Sequence, residues 1–338
     1  MDAKATAAAP PLHPVSTGLR GKPALSVVGE LVKARLTFLV VLTTSVGFYS
    51  GSSTPVDFSM LLQVTWGTAL LAAGAAVLNQ FIEREFDARM RRTSDRPLPS
   101  GRVNPTTALG IGAGLSILGM GWLLMAVNPL TALLGAVTLV SYIFCYTPLK
   151  RVTVLNTVVG AVPGALPPLM GWTAATGSLT APGWALFGIL FFWQLPHFMA
   201  IAWLYRDEYA GAGFRMLSGD DADGRRTAGS AIRNTVALLL VSLFPYQFGL
   251  AGRGYLLGAV LLGVGFLTMS IRFARLRTPS AARRLFFASI LYLPLLLGLL
   301  VGDKPTRKLT SPAVTSLASS PVGGTGLATI SSHLTPSN

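Results

Sequence analysis

Nine long apolar runs, separated by polar segments rich in arginine, constrain this chain more than any other feature. They lie near residues 31–51, 60–83, 106–126, 129–147, 154–174, 183–205, 230–249, 254–273 and 283–301. A membrane-spanning helix needs about 20 predominantly apolar residues, and a helix satisfies its own backbone hydrogen bonds within lipid. The expected fold is therefore all-α: a polytopic membrane bundle of about nine transmembrane helices. Composition agrees, since charged residues make up 12% of the 338, against about a quarter in soluble domains.

The formal net charge of +14 raises nucleic acid as a partner, but the placement of the charges excludes it. With the N-terminus in the cytoplasm, the cytoplasmic segments hold Lys4, Arg20, Lys22, Lys33 and Arg35, six arginines from Arg84 to Arg102, Lys150 and Arg151, five arginines from Arg206 to Arg233, and five from Arg272 to Arg284. The opposite side keeps only Arg253, Lys304, Arg307 and Lys308. This is the cytoplasmic excess of basic residues expected of a membrane protein. It predicts a multi-pass protein of a bacterial plasma membrane, with the long charged loops after the second and sixth runs at the cytoplasmic face. Residues 1–24 are rich in Ala and Pro and have no apolar signal-peptide core. Residues 304–338 begin with three basic residues and from about 311 are rich in Ser, Thr, Pro and Gly with no apolar periodicity. Both read as disordered tails around a membrane domain spanning 25–303. The single cysteine, Cys145, sits among aromatic and apolar neighbours, which predicts a buried, inert thiol and leaves no internal disulfide.

Chemistry enters where the second run ends. Asn79, Glu83 and Asp87 recur every fourth residue. Each step of four turns a helix by about 400°, so the three project from one face within about 80°. Ionisable groups at this depth are costly and usually face a cavity or a partner. Hard oxygen donors suit Mg²⁺, which is held by one or two carboxylates together with substrate phosphates. Arginines follow, among them Arg92 and Arg96, so the pattern points to a magnesium–diphosphate site. The segment from Asp95 to Gly101 turns the chain, since Pro97 and Pro99 restrict the residues before them.

The sixth run ends in the same way, with Tyr205, Arg206, Asp207, Glu208 and Tyr209 before a Gly-rich basic loop. Asp207 and Glu208 are the candidate second metal-binding carboxylates; a solvated helix end is the alternative. The two loops are expected to form two halves of one site. Lys150 and Arg151 read either as diphosphate contacts or as positive-inside anchors. Asn156 is placed to hydrogen-bond across the bundle. His197, inside a span just after Pro196, reads as a satisfied core histidine, an acid/base, or a ligand to an iron-bearing substrate.

The pattern Asn79-x-x-x-Glu83-x-x-x-Asp87, followed by Met90-x-Arg92-Thr93 and Arg96-Pro97-Leu98-Pro99-x-Gly101, resembles the signature of UbiA-type intramembrane prenyltransferases. Lys33-x-Arg35-Leu36-Thr37, Tyr146-Thr147-Pro148-Leu149-Lys150-Arg151, Trp193-Gln194-x-Pro196-His197-Phe198 and Tyr205-Arg206-x-x-Tyr209 extend the resemblance. Glu83 and the Trp-Gln-x-Pro-His run are similar to the branch of the family whose acceptor is haem. The chain departs at Asp207-Glu208-Tyr209, where that branch more often has an aspartate directly before the tyrosine, and at Ser218, where proline is usual. The resemblance implies transfer of farnesyl from farnesyl diphosphate to a vinyl group of haem B, with hand-off of product to a haem A synthase. It implies Mg²⁺ on Glu83, Asp87 and Glu208, catalytic roles for Asn79, Arg92 and Arg96, and substrate contacts from Lys33, Arg35, Lys150, Arg151, Asn156, His197, Tyr205, Tyr209 and Arg226. Two alternatives are an aromatic quinone precursor as acceptor and, in a different class, a transporter using the intramembrane carboxylates.

Overall fold

The sequence carries its own helix-start signals. Asn104-Pro105, Asn128-Pro129 and Thr278-Pro279 each place a capping oxygen before a proline at the first helical position, where its missing N–H is not needed. In the computed structural model, which describes residues 23–305, all three caps form: Asn104 accepts from Thr106 N at 2.9 Å, Asn128 from Thr131 N at 2.8 Å and Thr278 from Ala281 N at 3.3 Å. Asp57 caps the second run by accepting from Met60 N at 3.0 Å.

The described residues form helices α1 (Ala24–Leu31), α2 (Ala34–Gly51), α3 (Phe58–Asp87), α4 (Pro105–Val127), α5 (Pro129–Leu149), α6 (Asn156–Thr176), α7 (Ala181–Leu204), α8 (Arg206–Gly211), α9 (Arg225–Gln247), α10 (Arg253–Leu276) and α11 (Pro279–Gly302). Eight of them, α3 to α7 and α9 to α11, are long and apolar enough to cross a membrane. The ninth expected span is α2, whose 18 residues rise about 27 Å. Its hydroxyls dilute its apolarity. Those of Thr43 and Thr44 bond back to the Val40 carbonyl, and those of Ser45 and Ser50 to Val41 and Val46, so none is left unsatisfied. Helix α7 runs unbroken through Pro196. The expected tails fall outside the described residues, apart from residues 23, 24, 304 and 305.

Two apolar cores organise the bundle. One gathers Phe48, Val64, Leu71, Leu123, Leu169 and Met170 from α2 to α6. The other gathers Leu186, Ile189, Phe266, Leu285 and Leu293, chiefly from α7 and α9 to α11. The halves meet where α6 packs on α7 and where α11 reaches α2. Helices α2 and α6 cross with backbones nearly touching: a Cβ on Gly47 would strike the Pro168 carbonyl, and one on Gly171 the Thr44 carbonyl. Small residues at such crossings are how membrane helices approach closely. The crossing sets the position of the α2 start, where Lys33 sits.

Cys145 corrects an expectation: it is exposed. Beside it Phe144 is 71% exposed, so this face of α5 turns away from the protein. In a membrane bundle, apolar neighbours mark a lipid-facing surface as readily as a core.

Candidate active site

Helix α3 runs to Asp87, one turn beyond the apolar run, because Asn79, Glu83 and Asp87 are all buried against other elements. Each meets a polar partner brought from elsewhere. Lys33 Nζ donates to Asn79 Oδ1 at 2.6 Å, and Asn79 Nδ2 donates to Thr147 Oγ1 at 3.1 Å. Lys150 Nζ donates to Glu83 Oε1 at 2.7 Å. Arg96 Nη1 donates to Asp87 Oδ2 at 2.6 Å. One turn per partner, the column of oxygens faces a column of cations.

Lys33 takes that position because the α1–α2 corner forces its backbone to φ 49°, a left-handed conformation that costs a residue with a side chain about 1–3 kcal/mol. Gln80, which the sequence reading did not single out, holds the corner by donating from Nε2 to the carbonyls of Glu30 and Leu31 at 2.9 and 2.7 Å. Lys150 arrives from the end of α5, where the residues Ser141–Tyr146 widen into a π-helical turn. Such turns recur at functional sites because they re-aim side chains. Here the turn stacks Tyr142 on Tyr146 at 5.7 Å and sets the Tyr146 ring 4.5 Å from Lys150 Nζ.

The charges perturb one another. Burial, and then the positive charge of Arg96, push the Lys33 ammonium down to about 7, against the attraction of Glu83. Burial alone would do the same to Lys150. The Glu83 carboxylate outweighs it, and the Lys150 pKa is raised above the ordinary lysine value.

The segments after α3 and α7 meet at this end of α3. Phe86 in the last turn of α3 and Met90 just beyond it pack with Tyr209 of α8 and with Ala212, Phe214 and Met216 after it. Arg92 Nη2 donates to the Tyr209 hydroxyl at 2.9 Å, and its guanidinium lies 5.1 Å from the Tyr205 ring. The loop after α5 joins them. Arg215 N donates to the Lys150 carbonyl at 2.7 Å, Asn156 Nδ2 to the Arg215 carbonyl at 2.6 Å, and Arg151 lies 4.4 Å over the Phe86 ring. Asn156 thus ties two loops together and spends its amide on carbonyls.

Three expected contacts, those of Arg35, Arg226 and His197, fall elsewhere, and Asp95 stays in the turn where the sequence puts it. Arg35 is exposed and makes no hydrogen bond or ion pair with the described residues, because the Lys33 corner turns it outward. Arg226 is also exposed and engages Asp221 only through its backbone N–H at 3.3 Å. Burial opposes the Asp221 charge, yet the N–H groups of Thr227 and Arg226 hold its pKa below the ordinary value. Asp221 therefore belongs to the start of α9. His197 lies on the α7–α11 seam, with Nδ1 at 2.7 Å from Ser289 Oγ. Asp95 pairs with Arg102 at 3.7 Å within the turn, and Arg102 also binds Glu30 at 2.9 Å.

Among the described residues no three His, Cys, Asp or Glu side chains come together as a metal cluster, so Glu83, Asp87 and Glu208 are not gathered into one. Buried carboxylates take the nearest cation, and here lysine and arginine serve. Two features nevertheless fit Mg²⁺. Glu83 and Asp87 lie one turn apart on one buried face, and a Mg²⁺ ion asks for no more than one or two carboxylates plus phosphate oxygens. Glu208 Oε2 is a buried oxygen with no hydrogen-bond partner among the described residues. Its neighbour Asp207 is exposed beside Arg206 at 3.6 Å.

The family model for the UbiA prenyltransferase family matches residues 40–291. The chain belongs to this family. Among its relatives, the protoheme IX farnesyltransferase of Solibacter usitatus is 47% identical over 285 residues, covering 82% of this chain and 98% of that one. The protein of the same name from Salinibacter ruber is 48% identical over 273 residues, covering 81% and 96%. The UbiA fold is also seen in a solved digeranylgeranylglyceryl phosphate synthase, with TM-score 0.71 and 17% identity over 82% of this chain and 98% of that one. A UbiA homolog from Archaeoglobus fulgidus, solved with GPP and Mg²⁺, superposes with TM-score 0.60 at 13% identity over 81% and 99%. This UbiA chain is thus a multi-pass membrane prenyltransferase.

Proposed function

We propose that this prenyltransferase moves a farnesyl group from farnesyl diphosphate to a vinyl group of haem B, producing haem O. The observation that carries this reading is the identity of 41–48% with relatives named protoheme IX farnesyltransferase, nearly full-length among the bacterial ones. The site supplies what the reaction needs. Lys33, Lys150, Arg96 and Arg92 form a cationic wall for a diphosphate, and Asn79 orients it through the same amide that holds Lys33 and Thr147. Glu83 and Asp87, with Glu208, would hold Mg²⁺. Bound there, the metal would act as a Lewis acid that neutralises the leaving diphosphate.

In the reaction the C1–O bond of farnesyl diphosphate breaks, and the diphosphate leaves with the electron pair. The allylic cation lies against aromatic faces, for which Tyr142, Tyr146 and Phe214 stand beside Lys150; such faces stabilise cations. The vinyl π electrons attack C1. Water adds to the cation left on the acceptor and loses a proton. The loops tied by Arg92 and Tyr209 keep water from the allylic cation until the new bond forms. The site stands at the cytoplasmic face of a bacterial plasma membrane, and haem O passes to a haem A synthase.

The test is mass spectrometry of haem extracted from cells expressing the chain, beside cells expressing Asp87→Ala. Haem O in the first and none in the second is expected. Purified protein given farnesyl diphosphate with 4-hydroxybenzoate in place of haem B should give no product. A prenylated benzoate, with no prenylated haem, overturns the reading.

A further inference from the structure

The corner between α10 and α11 holds a charge pattern that prenyl transfer does not use. From residue 224 to residue 302 the chain has no Asp or Glu, yet Arg272, Arg275, Arg277, Arg283 and Arg284 crowd around this corner. Arg277 is half-buried and the other four are exposed; none forms an ion pair with a described residue. The basic excess on one side of a membrane protein accounts for arginines at this end. It does not account for a cavity built among them.

That cavity, of about 320 Å³, lies where the end of α7, the segment before α9 and the α10–α11 corner meet. Trp203, Leu204 and Pro279 give it an apolar side, and Arg206 and Arg277 a charged one. Arg206 is held over the Trp203 ring at 4.7 Å. Two carboxylates also reach the cavity. Asp223 is taken by Arg225 at 2.9 Å, and the Asp207 side chain is 95% exposed, out in water. The Arg277 guanidinium is left without a charged partner among the described residues. Its backbone stands at φ 49°, the left-handed position at a helix end that glycine ordinarily fills. An arginine kept where glycine is the cheaper residue points to a use for its side chain.

Position and charge together select the occupant. The cavity is at the end of the bundle that carries the active site, since Arg206 begins the helix whose Tyr209 meets Arg92. Leu276, Phe287 and Leu291, on the same two helices as the arginines, are exposed. Cationic surface thus gives way directly to apolar surface, as a lipid with a negative headgroup requires. We propose that this cavity binds the headgroup of an anionic phospholipid, with Arg277 and Arg206 on its phosphate. The exposed arginines of the corner hold the negative leaflet against the site. The site is independent of which acceptor is prenylated.

The test is native mass spectrometry of the delipidated full-length protein in detergent, given equal amounts of phosphatidylglycerol and phosphatidylethanolamine. The wild type should retain one phosphatidylglycerol in preference by about fivefold or more, the contribution of a single arginine at an anionic surface. Arg277→Gly removes the guanidinium and suits the backbone, so it should fold normally and lose the preference. Arg277→Asn, the other residue at ease in this conformation, should repeat the loss. Arg253→Gln, the same charge change at the opposite end of α10, should keep the preference. Equal losses from Arg272→Gln and Arg277→Gly would mean diffuse attraction and overturn the site. Equal retention of the two lipids by the wild type, or an unchanged preference in Arg277→Gly, would overturn it too. Displacement of the lipid by millimolar inorganic phosphate would overturn the lipid in favour of a soluble anion.

Discussion

Replacing Lys150 by methionine isolates what the paired charges do. Lys150 Nζ and Glu83 Oε1 are 2.7 Å apart, and their side chains are 18% and 6% exposed. At an effective dielectric of about 20 that distance corresponds to about 6 kcal/mol of attraction. Taking the two ions out of water removes several kcal/mol for each, so the intact pair contributes little net stability. Breaking it from one side is different, because the remaining charge stays buried alone. Lys150→Met should lower the unfolding free energy by about 3 kcal/mol, since Glu83 has almost no access to water. Glu83→Gln should cost about 2 kcal/mol, because Lys150 is the more exposed partner and keeps the Tyr146 ring. The double variant should also lose about 2 kcal/mol, which leaves a coupling of about 3 kcal/mol. Unfolding by SDS in mixed micelles, followed by tryptophan fluorescence, measures all four proteins. All three variants should be inactive, so the double variant separates a folded protein from a working one. Additive single effects, with coupling under about 0.5 kcal/mol, would refute the reasoning.

Lys33 predicts a pH dependence. Its ammonium is pushed down to about 7, and a neighbouring diphosphate favours the charged form and raises it. Binding therefore takes up a proton above pH 7, and affinity for farnesyl diphosphate falls as pH rises from there toward the ordinary lysine value; calorimetry at pH 8.5 in buffers of differing ionisation heat should report nearly one proton, and Lys33→Arg should abolish it. Gly171→Ala drives a methyl into the Thr44 carbonyl and should cost about 1–3 kcal/mol in the same unfolding assay, since backbone cannot yield as a side chain can. Tyr209→Phe removes the hydroxyl that Arg92 holds at 2.9 Å. Because Arg92 is exposed, stability should change by less than about 0.5 kcal/mol, while KM for the diphosphate rises with kcat little altered.

The helical fold was legible because membrane spans announce themselves by length and apolarity, and cap-proline pairs mark where they begin. The column Asn79, Glu83 and Asp87 was legible for a related reason: a four-residue rhythm that crosses from an apolar run into a charged one has few structural excuses. Which cation meets which oxygen was not legible. Lys33 lies 46 residues from Asn79 and Lys150 lies 67 from Glu83, and residue types do not state which helix ends converge. The same blindness separates Lys33 from Arg35. Two basic residues, two positions apart, are sent to opposite surroundings by one left-handed corner, and Gln80, which holds that corner, follows no motif. The π-helical turn at Ser141–Tyr146 has no period of its own to read. The depth of His197 in its span is plain from the sequence, but its partner Ser289 lies 92 residues away and no spacing points to it.

Cys145, the only cysteine in the chain, is exposed on the outward face of that π-helical turn. Next to it in the chain is Tyr146, whose inward ring meets Lys150. The protein thus comes with a single labelling handle, one residue from its own site. An environment-sensitive maleimide dye attached there, without engineered cysteines or a cysteine-free background, would watch from the lipid side as the turn answers to diphosphate arriving on the other.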